Sequence, residues 1–545
     1  MSSPFAQKLG TNYCPTDDEV PEIKALLVEP TLKVKDLDDE IAELQKAIDK
    51  LIEERDSLVA NVEAHRALIS PARRLPLDII QEIFVACLPT HRNCVMSASE
   101  APVLLGRICS AWRSISLSTP RLWASLHVVE PTRASYSLPT FDAKYAQRLE
   151  TTKMWLGRSG TCPLSLSLES GFDFSENPQL QSDVFVQALM SFSSRWHRIA
   201  FTIPVSIMES LSHLTEDDVP ILQDITLNER PDRLPSMNST PGAVQWTSFG
   251  IFRGLMISRF SVSRAQFGNI TELPLRWSQL IALTLTFFDD DLQLDALTSE
   301  RALQILSRCP QLQICSLAIY DYTVGSPGEH PIIECPFLHT FELVCGASPA
   351  YTLHRMFKRL SLPEFRHFKL RGYSVPESND MLSFSSFLAV STQLESLDIC
   401  TETFSKELLL DLLRDLPPTM QRLQISHVWS VPDILDDDIL AILTISDDIP
   451  STCCPGLRQL ILSQCGAFSD AALLRFVTSR MTTESCNRLE RVEVQSGSRE
   501  REIDLTKELA PFLDAGLIVS FNYSFPAPLQ YSPWLGLQNE HHGPP

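Results

Sequence analysis

The 545-residue chain has no uninterrupted apolar run of the roughly 18 residues that a membrane-spanning helix requires. Its first residues, MSSPFAQKLG, also lack the apolar stretch of a secretory signal, so a soluble protein of the cytoplasm or nucleus is expected. Basic residues are in deficit. Lys and Arg number 46 against 67 Asp and Glu, giving a formal net charge of −21 and a pI near 5.0, which argues against a nucleic-acid partner. Catalytic signatures are missing too: there is no Gly-rich phosphate loop, no HExxH and no nucleophile elbow. None of the 12 histidines stands beside a convincing nucleophile and orienting group, so no catalytic residue and no cofactor is expected.

The 14 cysteines are scattered without the paired spacing of a zinc site, and Cys453-Cys454 is the one tight pair. Reduced, mostly buried thiols fit this usage better than a disulfide framework. The acidic runs Asp289-Asp290-Asp291 and Asp436-Asp437-Asp438 could bind a hard cation, but such runs commonly serve as solvated loop charges.

What is present is an ordinary globular balance, 44% hydrophobic and 21% charged. The chain is too long for one hydrophobic core, so several domains or a repeat array must divide the burial. Residues 1–34 carry Pro15, Pro21 and Pro30 and read as a flexible lead. Over 35–69 the pattern changes. Leu37, Ile41, Leu44, Ile48, Leu51, Arg55, Leu58, Val62, His65 and Ile69 alternate spacings of four and three, the seam of a heptad helix that Pro71 ends. Two readings fit: a coiled coil through which 37–69 self-associates, or an amphipathic helix folded back on its own chain. Arg55 and His65 weaken the seam.

A repeat spans 160–520, after a connecting segment at 127–159 and before a tail at 521–545. Its unit is an apolar residue, two others, then two apolar residues spaced by one, as in Leu222/Ile225/Leu227, Leu280/Leu283/Leu285 and Leu457/Leu460/Leu462. Eleven starts run from 196 to 489 with gaps of 23 to 37 residues. Near Leu312 the register is imperfect, with Ile314, Leu317 and Ile319 as the apolar partners. Alternation predicts a strand buried on one face, and ALTSERALQILSRC, MLSFSSFLAVS, KELLLDLLRDL and SDAALLRFVTSRM predict helices between strands. One strand and one helix per unit describes an α/β horseshoe solenoid of irregular, leucine-rich-repeat-like coils. The alternative is a series of unrelated strand–helix pairs.

Between helix and repeats, at 70–126, lie SPARRLPLDIIQEIFVACLP and, after the insertion THRNCVMSASE, APVLLGRICSAWRSISLSTPRLWASLHV. Pro76 suits a first helical turn and Asp78 adds favourable charge there. Ile79, Ile80, Ile83 and Phe84 follow at helical spacing, with more apolar surface than so small a unit can bury alone. These segments resemble the F-box, here in an arrangement similar to a fungal group with a preceding heptad helix and a divergent repeat domain. LRQLILSQCGAFSDAALL likewise resembles a cysteine-containing leucine-rich repeat, with Cys465 at the strand's turn and Asp470 near the next helix start.

The F-box resemblance implies the Skp adaptor of a cullin-RING ubiquitin ligase as partner, with Leu75, Pro76, Ile79, Ile80, Ile83, Leu104, Cys109 and Trp112 as interface candidates. Phe84, Leu88, Ile108, Leu122 and Trp123 are then expected in the motif's own core. A non-catalytic receptor that holds a protein substrate on its repeats is the expected function. A binding scaffold independent of any ligase is the alternative.

Overall fold

The computed structural model describes residues 3–69, 71–132, 138–170, 179–230, 246–263, 270–286, 297–321, 331–346, 356–372, 387–388, 391–427, 433–445, 453–483, 487–495 and 505–522. The chain divides into two compact units, Met1–Ile83 and Phe84–Pro545.

The first unit holds a long helix, α1 (Glu19–Leu68), a 3-10 turn (Pro71–Arg74) and most of α2 (Leu77–Ala86). α1 begins well before the expected start near residue 35 and takes in Pro30, so the lead is shorter than its prolines suggest. Two features explain the early start. Pro21 falls in the first turn, where its missing N–H is not needed. Glu19 accepts from the Thr16 amide at 3.0 Å and the Tyr13 hydroxyl at 2.7 Å and pairs with Lys8 at 3.0 Å. These bonds, the Thr16 amide foremost, hold its carboxyl at about 2. All ten heptad positions from Leu37 to Ile69 are exposed.

The second unit is built on one open sheet of fourteen parallel strands. Its first half is β1 (Ser125–Val129), β2 (Leu164–Glu169), β3 (Trp196–Ile203), β4 (Asp224–Glu229), β5 (Arg259–Ser263), β6 (Ala282–Thr286) and β7 (Ile314–Tyr320). After the two-residue β8 (Ile333–Glu334) come β9 (Thr340–Gly346), the two-residue β10 (Leu360–Ser361), β11 (His367–Gly372) and β12 (Ser396–Cys400). β13 (Arg422–Ser426), β14 (Gln459–Ser463), β15 (Arg491–Gln495) and β16 (Ile518–Asn522) complete the order. Each strand of the large sheet pairs with the next in chain order, while β8 and β10 pair only with each other.

The reason is visible in the ladder. The middle residue of every triplet stacks on the middle residue of the next, so Ile225, Phe260 and Leu283 are cross-strand neighbours, as are Leu397, Leu423 and Leu460. All members of the ten regular triplets are buried. A strand that buries one face against its neighbours must keep this register, since a one-residue slip would turn every apolar side chain to solvent.

Three expectations change. The register does not break at Leu312: Cys315, buried, stands between Leu283 and Phe341, while Ile314 is half-buried on the other face. Leu312/Cys315/Leu317 is thus a regular unit, with cysteine acting as a small apolar residue. The sheet also begins before 160: Trp123/Leu126/Val128 has the same spacing and is buried, and β1 pairs with β2. Residues 138–158 of the connecting segment form a helix, Leu138–Arg158, between β1 and β2. At the far end β16 carries the sheet past 520, and 523–545 lie outside the described residues.

Connections between strands are helical where the sequence predicts it, at Ser299–Ser307, Lys406–Arg414 and Asp470–Thr482. The N-caps Thr298, Ser405 and Ser469 each accept a backbone N–H three residues on. MLSFSSFLAVS lies almost wholly outside the described residues. The insertion after α2 is integrated: Val95 bridges to His127 of β1, and Asn93 joins Ser125 and Ser167, each at 2.9 Å. It covers part of the sheet's first edge, which would otherwise present unpaired backbone groups.

Candidate protein-docking surfaces

In the first unit Pro76 immediately precedes α2, and its carbonyl accepts the Ile80 amide at 3.1 Å. Asp78 lies in the first turn, where a negative charge meets the positive end of the helix. Ile79 and Ile83, one turn apart, are each 44% exposed. Leu75 and Pro76 are exposed as well, and Ile80 is half-buried. Leu77, which the sequence reading passed over, is also exposed. Its signal was its place in the apolar-rich LPLDII.

In the second unit Phe84 is wholly buried, with its ring centroid 4.9 Å from that of Trp112. Cys109 is extended and ends the short helix α3 (Leu105–Ile108), and its Sγ accepts the Trp112 amide at 3.4 Å as the N-cap of α4 (Ser110–Leu117). Leu104 and Cys109 are exposed and Trp112 is half-buried. Arg113 Nε donates to the Gly106 carbonyl at 2.8 Å, tying α4 back onto α3.

Of the residues expected in the core, Phe84, Leu122 and Trp123 are buried and Leu88 is half-buried. Ile108 is not in the core: it is 56% exposed. α3 is a single turn, and Leu105 at its start takes the inward position that Ile108 was expected to fill.

The sheet face opposite the apolar ladders forms a second surface. Along its middle row Thr226, Ser261, Thr284 and Ser316 succeed one another in β4 to β7, followed by Glu342, Lys369 and Asp398 in β9, β11 and β12. Small hydroxyls thus give way to charge. Glu342 pairs with Lys369, and Arg371 pairs with Asp398 at 3.0 Å while donating to Ser426 at 2.7 Å. Burial pushes the Asp398 carboxyl up, against the pull of Arg371.

The acidic run at Asp436 is structural. Asp436 caps the helix Asp437–Leu443, and Asp437 accepts from the Ser469 amide and hydroxyl at 2.6 and 2.8 Å. Lys406 pairs with Asp436 and Asp438. The run 289–291 lies outside the described residues. No group of three His, Cys, Asp or Glu among the described residues could hold a metal ion. Cys465 is buried, with Sγ 3.3 Å from the Ser463 carbonyl and 3.7 Å from that of Ile425, and Asp470 is the buried first residue of its helix. Among the described residues no helix is long and apolar enough to cross a membrane.

No protein-family model matches the chain, and no curated protein matches it.

Proposed function

We propose that the chain is a substrate receptor of a Skp-cullin-F-box ubiquitin ligase. It binds the Skp adaptor through Leu75, Pro76, Ile79, Ile80, Ile83, Leu104, Cys109 and Trp112, and a protein substrate through a leucine-rich-repeat-like solenoid. The observation that carries the reading is the exposure of Ile79, Ile83 and Leu104, apolar residues of the resemblance's interface set. Fully burying one such side chain contributes about 1.5–3 kcal/mol, so their exposure favours a partner that covers them. The serial order of the parallel strands supports the solenoid reading, since nearest-neighbour stacking is how such arrays bury their faces.

Catalysis then belongs to other subunits. The receptor's contribution is a high effective concentration of substrate beside the transferred ubiquitin.

Copurification of the Skp adaptor with the full chain tests the adaptor assignment. Retention by the parent and loss after joint Leu75→Ala, Pro76→Ala and Ile83→Ala substitution is expected; equal retention by both would defeat the interface. A reconstituted ligase that modifies no protein captured by the chain would favour a scaffold outside the ubiquitin pathway.

A further inference from the structure

The ten exposed seam positions, together with the exposed Val34, fall into a regular heptad frame. Counting from Val34, the a positions are Val34, Ile41, Ile48, Arg55, Val62 and Ile69, and the d positions are Leu37, Leu44, Leu51, Leu58 and His65. Every a position but Arg55 is β-branched, and every d position but His65 is leucine. That division is the one that favours two parallel strands over three or four, because β-branched knobs fit the a holes and leucines the d holes of a dimer. The frame covers five heptads of α1, past the roughly three to four at which a sustained seam indicates a coiled coil. Each apolar side chain in it is at least 48% exposed.

Charge complementarity selects the occupant. In a parallel in-register pair each g residue faces the e residue five places on in the other chain. Lys33 then faces Asp38, an attractive pair. Glu40 faces Gln45, Ala47 faces Ile52, Glu54 faces Val59 and Asn61 faces Arg66, so no like charges meet. Ile52 and Val59 widen the apolar strip on one side. Arg55 is the polar exception at a. Its neighbour Glu54 occupies g, and in a parallel pair the hole that receives an a side chain includes the partner's preceding g residue. Each Arg55 guanidinium can therefore reach the other chain's Glu54. In the antiparallel register that sets Leu37 opposite Ile69, Glu54 would instead meet Glu54.

We infer that the protein forms a parallel, in-register homodimer through the α1 seam that starts at Val34 and ends at Ile69, with the two Arg55 residues fixing register by pairing with Glu54 of the opposite chain. The occupant of the exposed seam is a second copy of this chain. This inference is independent of the adaptor reading, since the seam lies outside the adaptor-binding set.

Sedimentation equilibrium of the full chain tests it. The parent is expected at twice the 61.2 kDa chain mass. Joint Leu51→Glu and Leu58→Glu substitution, on an already exposed face, is expected to return it to one chain mass with unchanged far-UV circular dichroism. Arg55→Leu removes the charge from the seam and is expected to lower the dimer dissociation constant at least tenfold. Ile48→Cys reads direction: oxidation is expected to add a covalent dimer in which the two introduced thiols are joined to each other, identified by peptide mapping. A parent that sediments as a single chain at micromolar concentration, or as three or more, overturns the inference. Absence of that link between the introduced thiols in a species of twice the chain mass overturns the parallel arrangement.

Discussion

The indole N–H of Trp123 donates to the Ser116 carbonyl across 2.8 Å. One bond thus joins the end of α4 to the residue that opens the first strand triplet. The same ring stands edge-on to Trp155, 4.8 Å away, so the helical segment and the first strand share a core. Trp123→Phe keeps an aromatic ring but removes the indole donor, while the Ser116 carbonyl retains the Thr119 amide at 3.3 Å, and is expected to cost about 0.5–1.5 kcal/mol. Trp123→Ala adds a cavity and is expected to cost about 3–5 kcal/mol. Urea unfolding followed by fluorescence separates them; no loss in Trp123→Phe would mean that the hydrogen bond contributes nothing.

Two glycines should respond oppositely to alanine. A Cβ on Gly456 would lie 2.6 Å from the Pro418 carbonyl oxygen and 3.0 Å from that of Met420, both backbone atoms that cannot swing aside. Gly157, in the helix Leu138–Arg158, has open space around the added carbon. Gly456→Ala is expected to lower the unfolding midpoint. Gly157→Ala is expected to stabilise by about 0.4–1 kcal/mol, because alanine loses less backbone freedom on folding. Thermal unfolding of the two variants checks both signs.

Thiol labelling at neutral pH should divide the cysteines by environment. Cys87 and Cys109 are exposed, whereas burial pushes Cys315 and Cys345 far above the ordinary thiol range. Maleimide is expected to modify the first two in the native protein and the second two only in denaturant. Bound adaptor is expected to slow labelling of Cys109. Peptide mapping with and without adaptor measures the effect, and an unchanged Cys109 rate would remove that residue from the interface.

The strand triplets were legible because burial on one face imposes a spacing that survives sequence divergence. Where the reading fell short, a residue type concealed its role. Cys315 does not read as apolar in a residue pattern, so a regular unit looks broken. Trp123 was absorbed by the helical motif, which concealed β1, and the prolines near the start obscured the first turns of α1. Asn93 and Val95 looked like an interruption because their partners, Ser125, His127 and Ser167, lie 32 or more residues away. Ile108 failed for a local reason, since in a one-turn helix only one side of the chain faces inward.

Calorimetric titration of the full chain with purified Skp adaptor tests the central claim most directly. Saturable binding of one adaptor per chain is predicted. Replacing Ile79 or Ile83 by Ala is predicted to weaken it roughly ten- to hundredfold, the loss of about 1.5–3 kcal/mol of side-chain burial. No binding by the parent chain, or unchanged affinity in both variants, would contradict the account.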